Sequence, residues 1–67
     1  MKIDKRKFDL ALANAAYTLK ELANKSGIAE VTICRITKGK QKARLSTIGK
    51  LAKALNVRVE EIIVDNE

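Results

Sequence analysis

The chain has 67 residues with 14 Lys or Arg against 8 Asp or Glu, so its formal net charge is +6. A chain of this length forms one small domain, here residues 1–67, and its single cysteine excludes an internal disulfide. Histidine is absent and no cluster of cysteine or carboxylate side chains replaces it, so we expect neither an enzyme nor a metal or cofactor site.

The first predicted helix covers residues 4–15. Asp4 is a good N-cap, and Phe8, Leu12 and Ala15 recur at helical spacing, which predicts one core-facing stripe. The basic residues 5–7 and the apolar residues that follow them faintly resemble a signal peptide, but polar residues interrupt the short apolar part. No apolar stretch approaches the ~20 residues that a bilayer requires. We therefore expect an intracellular, cytoplasmic protein that does not bind membranes.

The second and third predicted helices cover residues 18–25 and 29–38. Thr18 opens the second helix with T-x-x-E, the pattern of a capping box. After the second helix, Gly27 interrupts the helical spacing of apolar residues and supplies the positive φ of a tight turn. Two short helices joined at this glycine direct every apolar residue of the stretch inward, which predicts a helix-turn-helix. Its scaffold residues are Leu22, Ala23, Ile28, Ile33 and Ile36.

Two further helices are predicted, at residues 45–55 and 59–64. The fourth has one apolar face, made of Leu45, Ile48, Leu51, Ala52 and Leu55. Gly39 ends the third helix as a left-handed residue, and a loop joins it to the fourth. The fold class is therefore all-α, a compact five-helix bundle with the helix-turn-helix formed by helices 2 and 3.

The third helix has an exposed face that suits base recognition. At 100° per residue, Ile33 and Ile36 define its buried side. Arg35 lies opposite them and can bond guanine bidentately, and an aliphatic or threonine methyl can touch thymine. Any exposed helix face shows a mixture of residues, but an exposed valine has poor helix propensity and no packing reason to be there. The predicted base-contacting residues are Glu30, Val31, Thr32 and Arg35.

Positive charge follows this helix directly. Half of the acids lie at Glu60, Glu61, Asp65 and Glu67, so residues 1–59 hold 14 basic and 4 acidic side chains, or +10. Such a body attracts polyanions, with nucleic acid the first candidate and an anionic membrane surface the second. A solvated lysine loop is the alternative interpretation. The predicted phosphate-contacting residues are Thr18, Lys20, Lys38, Lys40, Lys42 and Arg44.

These blocks resemble the lambda-repressor and Cro family of helix-turn-helix DNA-binding domains, also called XRE-like, from about Phe8 to Ile63. The matching stretches are YTLKELANKSGI, VTICRITKG and TIGKLAKALNV. The resemblance implies a five-helix domain whose exposed third-helix residues face bases. Leu19 departs from a common glutamine, and Ala29 from the usual capping serine or threonine. Glu30 either accepts from a cytosine amine or forms an ion pair that orients Arg35.

The resulting hypothesis is a sequence-specific regulator of transcription, most simply a repressor. One module covers only ~600–1,000 Å² of DNA, so we expect a homodimer on a pseudo-palindromic operator of double-stranded DNA. The candidate dimer residues are Ile62, Ile63 and Val64, unless Ile62 and a neighbour simply close the core. A small-molecule ligand is not expected in so short a chain. The alternative function is a protein-interaction module, such as an antitoxin or adaptor with the same fold.

Overall fold

The computed structural model describes residues 1–65, which form four α-helices and one 3-10 helix. These are α1 (Lys5–Ala15), α2 (Leu19–Ser26), α3 (Glu30–Thr37), α4 (Leu45–Ala54) and a 3-10 helix at Val59–Glu61. The first four predicted helices are confirmed, with ends shifted by about one residue. Glu67, the last residue of the predicted acidic group, lies outside the described residues. No helix within residues 1–65 is both long and apolar enough to cross a bilayer.

The helix boundaries follow from the predicted caps. The Asp4 carboxylate accepts from the Lys7 amide at 3.1 Å. Thr18 Oγ1 accepts from the Glu21 amide at 3.1 Å, and the Thr18 amide donates to Glu21 Oε1 at 2.9 Å, which completes the capping box. Gly27 has φ 74°, the left-handed conformation that ends α2 and begins the turn.

The core lies where α2 packs against both α3 and α4. Leu22 and Ile33 are fully buried, and Ile36 is 4% exposed, as the helix-turn-helix pattern predicts. Ala23 and Ile28 are half-buried and pack against the same cluster. The other fully buried large side chains come from α1, α4 and the C-terminal segment, namely Phe8, Ile48, Leu51 and Ile62.

The predicted fifth helix at 59–64 is wrong beyond its first turn. After the 3-10 helix, Ile63 forms an isolated antiparallel bridge with Ile3. The Asp4 amide donates to the Ile62 carbonyl at 2.9 Å, and the Val64 amide donates to the Lys2 carbonyl at 3.0 Å. Three consecutive β-branched residues favour this extended pairing over helix. Residues 1–4 and 62–64 therefore close the bundle together.

Two details of the predicted core also need correction. Leu45 is 68% exposed, because it is the first residue of α4 and the helix face that reaches the core starts one turn later, at Ile48. On α1 the buried side chains are Phe8 and Ala11, while Leu12 and Ala15 are only half-buried at the edge of the core. The stripe on α1 is thus turned slightly from its predicted position.

Candidate nucleic-acid interface

The orientation of α3 is fixed by a three-residue turn and by its buried side. Residues 27–29 connect it to α2, and the Ile28 amide donates to Ser26 Oγ at 3.2 Å within this turn. Burial of Ile33 and Ile36 then determines which side of α3 faces outward. The sequence of the turn therefore sets the direction of the helix, and the two isoleucines set its rotation.

The outward side of α3 carries the four predicted base-contacting residues. Val31 is 56% exposed, Glu30 and Arg35 are exposed, and Thr32 is half-buried. The eight residues span about 12 Å at ~1.5 Å each, a length that lies within the major groove of B-DNA. This side thus offers one long donor, one carboxylate, one hydroxyl and one exposed aliphatic group.

Residues 38–44, here called the basic loop, continue directly from the end of α3. The Lys38 amide donates to the Cys34 carbonyl at 3.0 Å, and the Lys40 amide donates to the Arg35 carbonyl at 2.9 Å. Gly39 has φ 75° and turns the chain. These backbone bonds attach the start of the loop to the last turn of α3, so its charges lie beside the exposed helix side.

The cations of this region have no partner within the described part of the chain. The side chains concerned are exposed and make neither an ion pair nor a hydrogen bond to residues 1–65; they are Arg35, Lys38, Lys40, Lys42 and Arg44. Glu30 is close in sequence, yet no ion pair joins it to Arg35 in residues 1–65. The charge is therefore available to an external anion.

Three lysines elsewhere on the molecule make contacts within residues 1–65. Lys5 Nζ contacts Asp9 at 2.9 Å, and Lys7 Nζ contacts Asp65 at 2.8 Å and donates to the Ile63 carbonyl at 3.2 Å. Lys25 lies over the Tyr17 ring, with 5.1 Å from Nζ to the ring centroid. The N-terminal lysines of α1 thus serve internal contacts, which separates them from the basic loop.

The start of α2 holds the two remaining predicted phosphate contacts. Thr18 and Lys20 are both exposed, and the Thr18 hydroxyl accepts from the backbone, which leaves its proton free to donate outward. Leu19 between them is half-buried against the core, so this residue serves packing. Residues 1–65 contain no group of three or more His, Cys, Asp or Glu side chains placed to hold a metal ion.

The sequence did not predict the groove that the N-terminal segment forms with the basic loop. Residues 1–5, residues 36–43 except Lys40, and Val64 line this groove together. The signal in the sequence was the β-branched residue near each end of the chain, Ile3 and the run Ile62–Val64. Such residues pair as extended segments more readily than they form a terminal helix.

Comparison with known proteins gives one family match. The model of the Cro/C1-type helix-turn-helix DNA-binding domain matches residues 7–67, which include the whole helix-turn-helix and the basic loop. No curated protein and no solved structure matches the chain significantly.

Proposed function

The chain belongs to the family of Cro/C1-type helix-turn-helix DNA-binding domains, and from that premise we propose that it is a small, sequence-specific transcription regulator that inserts α3 into the major groove of double-stranded DNA. The observation that carries this proposal is that Arg35 and the four cations of the basic loop have no partner within residues 1–65. Solvated surface lysines are common, but here they are concentrated beside the one helix that a helix-turn-helix presents to DNA.

Base recognition is assigned to the exposed side of α3. Arg35 donates bidentately to guanine O6 and N7, and Val31 and the Thr32 methyl contact thymine methyl groups. Glu30 accepts from a cytosine amine, and this role is preferred to orienting Arg35 because the two side chains form no ion pair in residues 1–65. These four residues set the preferred operator sequence.

Backbone contacts are assigned to two groups on either side of α3. The basic loop contributes Lys38, Lys40, Lys42 and Arg44, and the start of α2 contributes Lys20 and the Thr18 hydroxyl. Neutralised phosphates release counterions, so these residues supply affinity that is independent of sequence and sensitive to salt. They also fix the register at which α3 meets the bases.

We further propose a homodimer on a pseudo-palindromic operator that represses transcription by occluding a promoter in the cytoplasm. One module alone covers too little DNA for tight specific binding. Ile62 is fully buried and belongs to the core, so Ile63 and Val64, both half-buried, are the remaining candidates for the dimer contact. Half-sites are expected about one helical turn apart.

The decisive experiment is fluorescence anisotropy on a random duplex with a salt titration, followed by selection of bound sequences. Five phosphate contacts from lysine or arginine predict a slope of log K against log salt of about −4.5 for each bound chain. Selection is expected to enrich one two-fold symmetric site. No binding at low salt overturns DNA binding, and an antitoxin or adaptor role then becomes the leading alternative. Binding without any enriched sequence overturns the proposal of a sequence-specific regulator and leaves the proposal of DNA binding intact.

A further inference from the structure

A groove of about 910 Å³ lies beside the proposed DNA-binding surface. Its lining comes from the N-terminal segment at residues 1–5, from the end of α3 with residues 38–43 of the basic loop except Lys40, and from Val64. A groove of this size accommodates several side chains of a bound segment.

The floor of the groove is apolar. Ile3 and Ile36 lie beneath it and are 8% and 4% exposed, while Ala43 and Val64 are half-buried. Met1 contributes a side chain that is 54% exposed. Together these residues leave aliphatic surface in contact with water, which a bound apolar side chain would cover with a gain in free energy.

The rim of the groove is positive. Lys38 and Lys42 lie on it, and neither has a partner within residues 1–65. The carboxylate of Asp4 is the one acidic side chain among the described lining residues, and it is engaged with the Lys7 amide as the cap of α1. The groove therefore combines an apolar floor with two rim lysines, Lys38 and Lys42, that have no counter-charge within residues 1–65.

This combination discriminates among possible occupants. DNA phosphates neutralise the rim but have no group that covers the aliphatic floor. A second copy that meets the groove with its own groove brings the same cations, so like charges oppose each other. A peptide that alternates carboxylates with aliphatic side chains satisfies both parts, because its acids pair with the rim while its apolar side chains cover the floor.

We propose that this groove is a docking site for an acidic, aliphatic peptide segment of a partner protein, and that docking excludes DNA. The exclusion rests on the proposed function, because Lys38 and Lys42 belong both to the rim and to the phosphate contacts. A docked segment neutralises these two lysines and adds negative charge next to α3. The partner thus acts as an inhibitor of DNA binding, and Ile63 remains as the dimer candidate that does not line the groove.

The test uses a fluorescein-labelled octapeptide of alternating Glu and Leu as the probe, with alternating Glu and Ser as its equally charged control. The protein is titrated with each peptide, and amide chemical shifts map the contact. The expected result is shifts at Gly39, Ala43 and Val64 with the Glu–Leu peptide, and at least about tenfold weaker binding of the Glu–Ser peptide, or 1.4 kcal/mol. Equal affinities, or shifts that miss the groove, overturn the proposal.

A matched pair of variants separates docking from DNA binding. Val64→Ser polarises the groove without changing its charge and is expected to weaken binding of the Glu–Leu peptide about tenfold, whereas its affinity for random duplex tests Val64 as a dimer candidate. Val57→Ser changes a half-buried valine outside the groove and should alter neither affinity. Weaker self-association of Val64→Ser, together with weaker DNA binding, identifies a second copy as the occupant and overturns the peptide.

Competition between the peptide and DNA tests separately whether docking in the groove excludes DNA. Saturating Glu–Leu peptide is expected to displace a labelled random duplex, and the Glu–Ser peptide to displace it only at about tenfold higher concentration. Peptide bound in the groove while DNA stays bound overturns the exclusion. If the protein binds no duplex at all, the proposed function fails, and the shift map still decides whether the groove takes the peptide.

Discussion

The terminal junction, where residues 1–7 meet residues 59–65, and the surface of α3 with the basic loop are both rich in charge. At the junction, two lysines of α1 contact the carboxylates of Asp9 and Asp65, and backbone bonds tie Asp4 to Ile62. On the α3 surface, Arg35 and the four cations of the basic loop have no partner in residues 1–65. The terminal junction uses its polar groups to close the fold, and the α3 surface leaves its cations for an external ligand.

The two regions also differ in how their helices are capped. Asp4 caps α1 and Thr18 caps α2, each through a side-chain oxygen. At the start of α3, Ala29 adopts an extended conformation and offers no side-chain acceptor. The helix assigned to base recognition thus lacks the side-chain cap that α1 and α2 have. Stability and ligand binding are distributed to different parts of this small domain, and four variants test that division.

The largest effect is expected from truncating the core residue at the junction. Ile62→Ala removes a fully buried side chain and should lower the free energy of unfolding by about 2–5 kcal/mol, because it leaves a cavity. Urea denaturation followed by circular dichroism measures this. Ile63→Ala, at a half-buried neighbour, is the control and should lose less than half as much. Equal losses would contradict the assignment of Ile62 to the core and Ile63 to the surface.

Next in size is the loss of base discrimination when Arg35 is truncated. Arg35→Ala should reduce the preference at one operator position by about 1–3 kcal/mol, because a bidentate contact to guanine disappears. Its free energy of unfolding should change by no more than about 0.5 kcal/mol, since the side chain is exposed and unpartnered. Binding to duplexes with single base changes measures the preference.

Arg58→Ala provides the matched arginine, one residue before the terminal junction. Its side chain contacts Glu60 at 3.4 Å and has no assigned role in base recognition. The variant should keep the base preference of the original chain. A uniform loss across all duplexes for Arg35→Ala, or an altered preference for Arg58→Ala, would remove the distinction between the two regions.

An added cap on α3 is expected to have an effect of about 1 kcal/mol. Ala29→Ser supplies an oxygen for the free amides of the first turn, and its backbone is already extended, with φ −59° and ψ 141°. The free energy of unfolding should rise. Thr18→Ala removes an existing cap and should lower it by a similar amount. If Ala29→Ser gives no gain while Thr18→Ala is destabilising, the missing cap does not limit the stability of α3.

The sequence predicted the helix-turn-helix more completely than the junction, for a physical reason. The positions of Leu22, Gly27 and Ile33 are set by local periodicity and one turn, and all three behave as predicted. The pairing of Ile3 with Ile63 joins residues 60 positions apart, so no local pattern specifies it. The short segment at residues 59–64 is also compatible with helical spacing, so the sequence predicted a helix there.

The exposure of the candidate site residues was predictable from the sequence, but the pairing of their charges was not. Exposure of Val31 and Arg35 follows from the phase of α3, which Ile33 and Ile36 fix. Whether a given lysine is engaged depends on carboxylates brought close by the fold, as Asp65 is brought to Lys7. The groove beside the basic loop likewise requires both chain ends to be in place, which no single segment encodes.

The smallest of the four effects compares one lysine from each region. Lys42→Ala should weaken binding to every duplex alike and reduce the slope of log K against log salt by about 0.9, because one phosphate contact is lost. Lys7→Ala should leave that slope unchanged, since Lys7 is held by Asp65 and the Ile63 carbonyl. It should instead lower the free energy of unfolding by at most about 1 kcal/mol, because the Asp65 carboxylate is largely exposed. If both variants shift the slope equally, the junction also contacts DNA, and its charges are not reserved for the fold.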